Sequence, residues 1–300
     1  MLISRLYGGM GNQMFQYAFG RSVSERLGVD LTLDIRFLLD NTKRSNFTLR
    51  KFDLDLFDIK AIIGDIDTLS QIPFHFTKFQ KAYQLLKCKL GIKTYINGFR
   101  LIKEEFYNEN SLQMENNYIL DGYWQKYSFF KDYEHLIRKE LTFKDKPTQK
   151  IQELEDYISS RNSIAIQIRK TDYLTIKKNQ FIFEDLTPEY FEASLNYLKK
   201  KLNNPIILIF SDDNDWVKSN LKFIKDESII IEDEWKGPKY QFSMYLMNKC
   251  NNHIISNSSF GWWGAFLAEN PDKIVVAPKK WYKISSMNNN ISLPDSWVRI

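Results

Sequence analysis

The strongest constraint on the fold lies in the C-terminal half, where five short apolar runs rich in β-branched residues recur at 163–169, 205–210, 228–231, 253–256 and 273–277. Each suits a strand buried on both faces of a parallel sheet. Helical stretches fill the gaps. Thr187-Pro188-Glu189 is a helix start, a capping residue followed by Pro in the first turn, leading into 190–202. Further helices are expected over 213–221, 239–250 and 260–269. Strand–helix alternation of this kind gives a doubly wound, Rossmann-like domain that binds its ligand at the C-terminal ends of its strands.

The N-terminal half opens in the same way, with a strand at 2–7, a glycine turn, a helix at 12–27 ending at Gly28, and a strand at 29–34. Beyond Asp40 the pattern fades until a strand at 118–122, followed by helices at 133–141 and 148–159. The spacing therefore predicts an α/β protein of two Rossmann-like domains, 1–160 and 161–300, with a cleft between them and the boundary near Ser160.

Forty-two basic residues against 37 acidic ones leave a net charge of +5. That excess suits an anionic small molecule, and it is too mild for a nucleic-acid partner, which calls for a concentrated basic stripe. Cys88 and Cys250 are the only cysteines, so a disulfide framework and a Cys-rich zinc site are both excluded. No long apolar core precedes the first glycines, and the most apolar later stretch, 260–267, is too short to span a bilayer. A cytoplasmic protein is the expectation. One stretch, 74–93, places Phe79, Tyr83, Leu86 and Leu90 on one helical face with Lys78, Lys81, Lys87, Lys89 and Lys93 around it. Such a helix either packs its apolar face on its own domain or rests on a membrane. Peripheral contact with the inner face of the cytoplasmic membrane enters as an expectation.

The opening YGGMGNQMFQYAFG looks like a dinucleotide fingerprint, with Asp34 near the position of the ribose-binding acid. The spacing fails. Counting from Gly9 and Gly11, the third small residue falls on Met14, which would block the close strand–helix packing that the fingerprint needs. A nicotinamide-dependent oxidoreductase is accordingly the weaker reading. Asn12 and Gln13 instead set two side-chain amides at a helix N-terminus, where N–H groups point at an incoming anion. Gly9, Gly11, Asn12 and Gln13 are thus candidates for a loop that closes over a phosphate or sugar; the alternative is a plain tight turn.

The run IAIQIRKTDYL ends its strand in Gln167, Arg169, Lys170 and Asp172. Arg and Lys side by side at the C-terminal end of a Rossmann strand are well placed for a diphosphate. Arg169 can clamp two phosphate oxygens, and Asp172 can hold its guanidinium in position. A surface Arg–Asp pair is the bland alternative. Ser256, Asn257, Ser258 and Ser259 precede a helix and offer hydroxyls and N–H groups as a phosphate cradle, or ordinary helix capping.

QIRKTDY resembles the H-x-R-R-x-D-Y signature of glycosyltransferase family 11, the α-1,2-fucosyltransferases, and the shorter R-x-x-D element of α-1,6- and protein O-fucosyltransferases. Four further blocks are similar to that family and come in its order: GGMGNQMFQYAFG, GYWQKYSFF at 122–130, FSDDNDWVKSN at 210–220, and ISNSSFGWWGAFLAENPDKIVVAPKKWY at 255–282. Gln167 stands where the family has His, Lys170 where it has a second Arg, and Gly261 where it has Ser. An amide cannot take up a proton at neutral pH, so Gln167 cannot be a base.

The resemblance implies the GT-B fold, GDP-β-L-fucose as donor substrate, an inverting transfer to the 2-hydroxyl of a Gal-terminated oligosaccharide or lipid-linked glycan, and neither metal nor cofactor. Ser211-Asp212-Asp213 could pass for a cation motif, but none of the three histidines lies near it. Asp212 or Asp213 is assigned to guanosine, whose N1–H and amino protons suit a carboxylate; the alternative is a helix cap at Asp213. Arg169 and Asp172 are the catalytic candidates, and the base for the acceptor hydroxyl stays unidentified. The N-terminal domain is expected on the acceptor side and the C-terminal domain on the donor side. With Gln167 in place of His, a non-catalytic GDP-sugar-binding protein is the main alternative.

Overall fold

The computed structural model describes residues 1–42, 48–70, 72–73, 78–113, 117–171, 176–224 and 228–300. The chain divides into two compact units, Met1–Thr142 and Phe143–Ile300. In the first, β1 (Leu2–Arg5), β2 (Leu31–Asp34), β3 (Ile62–Ile63), β4 (Tyr95–Ile96), β5 (Phe99–Lys103) and β6 (Asn117–Asp121) form one sheet in the order β3-β2-β1-β6-β5-β4. Pairing is parallel except in the β4–β5 hairpin. That hairpin turns on Asn97-Gly98, both with positive φ, which is the two-residue signature of a tight hairpin. Its strands are short enough to escape a search for apolar runs.

The helix Met10–Leu27 follows β1 and ends at Gly28, whose left-handed backbone lets its N–H reach the last carbonyls. Farther along the helix, the Tyr17 hydroxyl donates to Glu140 and accepts from the Lys60 N–H at 2.9 Å, while Arg21 Nε donates to the same carboxylate at 3.1 Å. Glu140 is buried, so this pairing is what makes its charge tolerable inside the unit.

The second unit holds β7 (Ser163–Ile168), β8 (Ile206–Ser211), β9 (Ser228–Ile230), β10 (Asn252–Ile254), β11 (Val275–Ala277) and β12 (Val298–Arg299) in one parallel sheet, in the order β12-β11-β10-β7-β8-β9. The five expected strands are present, and β12 adds an edge. Alternation along β7 divides the core. Ile164, Ile166 and Ile168 pack with Phe191, Leu195 and Leu198 on one face. Ala165 lies on the other with Ile151, Ile158, Leu246 and Met247. Ile151 and Ile158, seven residues apart, come from the helix Gln149–Ser159. The division therefore falls at Thr142/Phe143 and not near Ser160: the apolar stripe of that helix belongs to the second core. Trp262 and Trp263 are fully buried core residues.

His253 on β10 is fully buried, and burial, reinforced by the Lys273 charge, lowers its pKa from 6.5 to about 3. Below pH 6.5 the unfolded chain takes up a proton there that the folded chain refuses, so stability falls as the pH drops toward 3. Between pH 7 and pH 5 the loss from this ring should be about 2 kcal/mol. Urea midpoints at the two pH values should move apart by that much less in a His253→Leu variant.

Candidate active site

In the first unit β1 lies between β2 and β6, with the glycine loop at its C-terminal end. Gly8 has φ +83°, a conformation that glycine adopts without strain, and a Cβ there would lie 2.5 Å from Asn12 Nδ2. Gly9 is the cap residue of the helix, and Gly11 lies in its first turn. The next two amides divide their labour. Gln13 is fully buried; its Nε2 donates to the Gly8 carbonyl at 2.9 Å and the Lys51 carbonyl at 2.8 Å, and its Oε1 accepts from the Asp53 N–H at 2.9 Å. This corrects the expectation for Gln13: its amide clamps main chain and is spent on the loop. Gln16 does the same for Tyr7, bonding both its N–H and its carbonyl.

Asn12 is partly exposed, and its Oδ1 accepts from Gln125 Nε2 at 2.8 Å, which turns its NH2 group toward the Gly8 loop. Gln125 belongs to the second block, whose geometry explains its other members. A Cβ on Gly122 would sit 2.4 Å from Glu104 Cβ. Glu104 accepts the Tyr123 N–H at 2.7 Å, and burial raises its pKa. Trp124 is buried with φ +58°, a strained conformation for so bulky a residue, and stacks on Phe19 with ring centroids 4.0 Å apart. The strain aims Gln125 at Asn12. Arg50, which carried no signal in the sequence, brings its guanidinium to 3.7 Å from where a Gly9 Cβ would be.

Asp34 is no ribose acid. Both its oxygens accept from Arg36, at 2.8 Å each, and Arg5 lies 3.7 Å away.

In the second unit β7 lies between β10 and β8, so its C-terminal end is the switch point of the sheet, where doubly wound folds bind ligands. Ser256 joins the two strands there. Its hydroxyl donates to the Gln167 carbonyl at 2.9 Å and accepts from the Arg169 N–H at 3.2 Å. The Arg169 side chain keeps about a quarter of its surface exposed and pairs through Nη1 with Asp212 at 3.1 Å. Asp212 thus orients the guanidinium in the described structure; Asp172, expected in that role, lies outside the described residues.

Asp212 also accepts the N–H groups of Lys170 at 2.9 Å and Thr171 at 3.2 Å. Asp213 caps the helix Asn214–Asn220 through the Trp216 N–H at 2.8 Å, and the Ser211 hydroxyl bonds Asp213 on both sides of its residue. The capping alternative thus describes Asp213, and Ser211 and Asp212 build the turn beside it.

Lys170 is also corrected. It is 3% exposed, and its ammonium donates to Asp185 at 2.7 Å and to the Leu186 carbonyl at 2.6 Å, beneath the Trp216 ring at 4.3 Å. Alternation is the cause. Lys170 continues the face of Ile164, Ile166 and Ile168 and turns toward the helix Pro188–Lys199, whereas Arg169 continues the face of Ala165 and Gln167.

Of the serine cradle, Ser256 and Asn257 are structural. Asn257 Nδ2 donates to the carbonyls of Glu184 and Trp281, both at 2.8 Å. Ser258 and Ser259 begin the helix Ser259–Leu267, and Ser258 does not cap it through its side chain. The positive end of that helix and the Arg169 guanidinium stand at the ends of neighbouring strands. Among the described residues, no three His, Cys, Asp or Glu side chains come together as a metal-binding group.

A model of glycosyl transferase family 11 matches residues 3–300, and the chain belongs to that family. It is 30% identical over its whole length to an alpha-1,2-colitosyltransferase of Escherichia coli, of which 99% is covered. It is 29% identical, with both chains covered in full, to the O-antigen biosynthesis glycosyltransferase WbnK of Escherichia coli. Among solved structures, the α-1,6-fucosyltransferase NodZ co-crystallized with GDP shares the fold, with a TM-score of 0.52 at 15% identity over 88% of this chain and 90% of that one. The protein is a family 11 glycosyltransferase of GT-B fold, which removes the oxidoreductase reading.

The two departures from the family pattern at Gln167 and Gly261 are neighbours. A Cβ on Gly261 would lie 2.3 Å from Gln167 Oε1 and 2.9 Å from its Cδ. Gln167 is buried, and its Oε1 has no hydrogen-bond partner among the described residues. Gly261→Ser should therefore displace the amide and destabilise the fold by about 1–3 kcal/mol. Adding Gln167→Ala should recover about 1 kcal/mol or more of that in a double-mutant cycle by urea denaturation; strict additivity would mean that the two side chains do not compete for this space.

Proposed function

We propose that this protein transfers L-fucose from GDP-β-L-fucose, with inversion and without a metal, to the 2-hydroxyl of a terminal β-galactoside during assembly of a bacterial surface polysaccharide such as an O-antigen. The observation that carries this reading is the partly exposed Arg169 guanidinium, held by Asp212 at the switch point beside the N-terminus of the helix Ser259–Leu267. The second unit is the donor side in this reading, and the first, with Asn12 and its glycine loop, the acceptor side. The O-antigen context and the α-1,2 linkage are supported by the names of the two Escherichia coli relatives.

The step is a single displacement. The bond from the sugar C1 to the β-phosphate oxygen breaks with its electron pair going to GDP, and the acceptor O2 bonds to C1 from the opposite face. Arg169, with the N-terminal N–H groups of the helix Ser259–Leu267, neutralises the charge that gathers on the leaving diphosphate. Preorganisation matters here, because Asp212 and Ser256 hold the arginine in place before charge develops. The acceptor proton needs a base. Asp172, three residues beyond Arg169 in the sequence, is the carboxylate we assign to it.

A second reading, a colitosyl donor, is favoured by the 30% identity to the colitosyltransferase. Purified protein offered GDP-fucose or a colitosyl nucleotide, each with galactose-terminated disaccharides and with or without EDTA, distinguishes the two once NMR defines the product linkage. Arg169→Ala should lower kcat on the order of a hundredfold, about 3 kcal/mol of transition-state stabilisation. Full turnover by that variant, or loss of wild-type turnover in EDTA, would overturn the proposed mechanism. Binding of GDP without any transfer would instead identify a non-catalytic GDP-sugar-binding protein.

A further inference from the structure

The helix Lys78–Lys89 inverts the usual arrangement of a surface helix. Phe79, Tyr83 and Leu86, continued by Leu90, lie on one face at the spacing i, i+4, i+7, i+11, and all four are exposed, Phe79 by 81% and Leu90 by 66%. Ile92, just beyond the helix, is exposed as well. Gln84, off this stripe, is buried, and its Oε1 has no hydrogen-bond partner among the described residues. Single exposed apolar side chains need no explanation, but a continuous stripe of large ones marks an interaction surface.

Charge identifies the partner. Residues 74–93 contain five lysines, Lys78, Lys81, Lys87, Lys89 and Lys93, and no Asp or Glu. Their +5 equals the net charge of the whole chain, 42 basic against 37 acidic residues, so the other 280 residues are balanced. A two-fold contact between copies would set these lysines against one another. An anionic lipid surface complements both features, taking the apolar stripe into the acyl boundary and the ammonium groups at the phosphates. Among the described residues no helix is long and apolar enough to cross a membrane, so the contact available to this helix is to lie on the surface.

We propose that the helix Lys78–Lys89, with its continuation to Lys93, docks the protein peripherally on anionic membranes. The test is co-sedimentation of the full-length protein with vesicles of phosphatidylcholine alone or mixed with phosphatidylglycerol, at low and at high salt. The protein should pellet with the mixed vesicles at low salt and be released at high salt. Phe79→Ser with Leu86→Ser, and separately Lys87→Glu with Lys89→Glu, should each lower the partition at least about tenfold, with thermal melting unchanged. Equal binding by both double variants, or no binding of the wild type to mixed vesicles, would overturn the proposal. So would a concentration-dependent dimer in sedimentation velocity that Phe79→Ser with Leu86→Ser abolishes, since the stripe would then belong to a second copy. Binding is read without turnover, so the outcome is independent of which sugar is transferred.

Discussion

The geometry of the second unit turns on one hydroxyl. Where β7 and β10 separate at their C-terminal ends, Ser256 bonds the Gln167 carbonyl and the Arg169 N–H. A hydrogen bond of this kind contributes only about 1 kcal/mol, but leaving a buried carbonyl or N–H unmet costs about 1–3 kcal/mol, so the tie is hard to give up. It decides where the strand stops being sheet and begins to serve the site. Asp212 secures the turn on the other flank through two N–H groups and the guanidinium. One arginine is left partly exposed between two anchored strand ends.

The first unit solves a related problem with amides. A nucleotide-binding loop ordinarily relies on small residues for close approach of helix and strand. Here Met14 and Phe15 fill that space, and the side chains of Gln13 and Gln16 supply main-chain partners to residues 7, 8, 51 and 53. The left-handed Trp124 and the glycine at 122 place Gln125 against Asn12, so the two sequence blocks of this unit are one hydrogen-bonded assembly. Much of what looks like ligand chemistry in these motifs is scaffolding for the few groups left exposed.

Several outcomes were legible in the residues and several were not. Period-two alternation in SIAIQIRK already separates Arg169 from Lys170, since the lysine continues the isoleucine face that the core must bury. The Asn97-Gly98 hairpin carried its signal in two residues. The stripe of the helix Gln149–Ser159 was visible, but which sheet it would cover was not, and that moved the domain boundary. Arg50 beside Gly9, and Asp185 as the partner of Lys170, are long-range pairings that no local pattern announces.

By itself the sequence determined the α/β class, the parallel sheet of the second unit, the family, and Arg169 as the cation at a strand end, because these depend on periodicity and on blocks of contiguous residues. Only the tertiary structure decided which polar groups are spent internally. Gln13, Lys170, Asp212, Ser256 and Asn257 all read as ligand contacts until their hydrogen bonds are seen. The physical reason is that a buried polar atom must find a partner wherever the folded chain offers one. That partner comes from segments whose distance along the sequence says nothing of their distance in space.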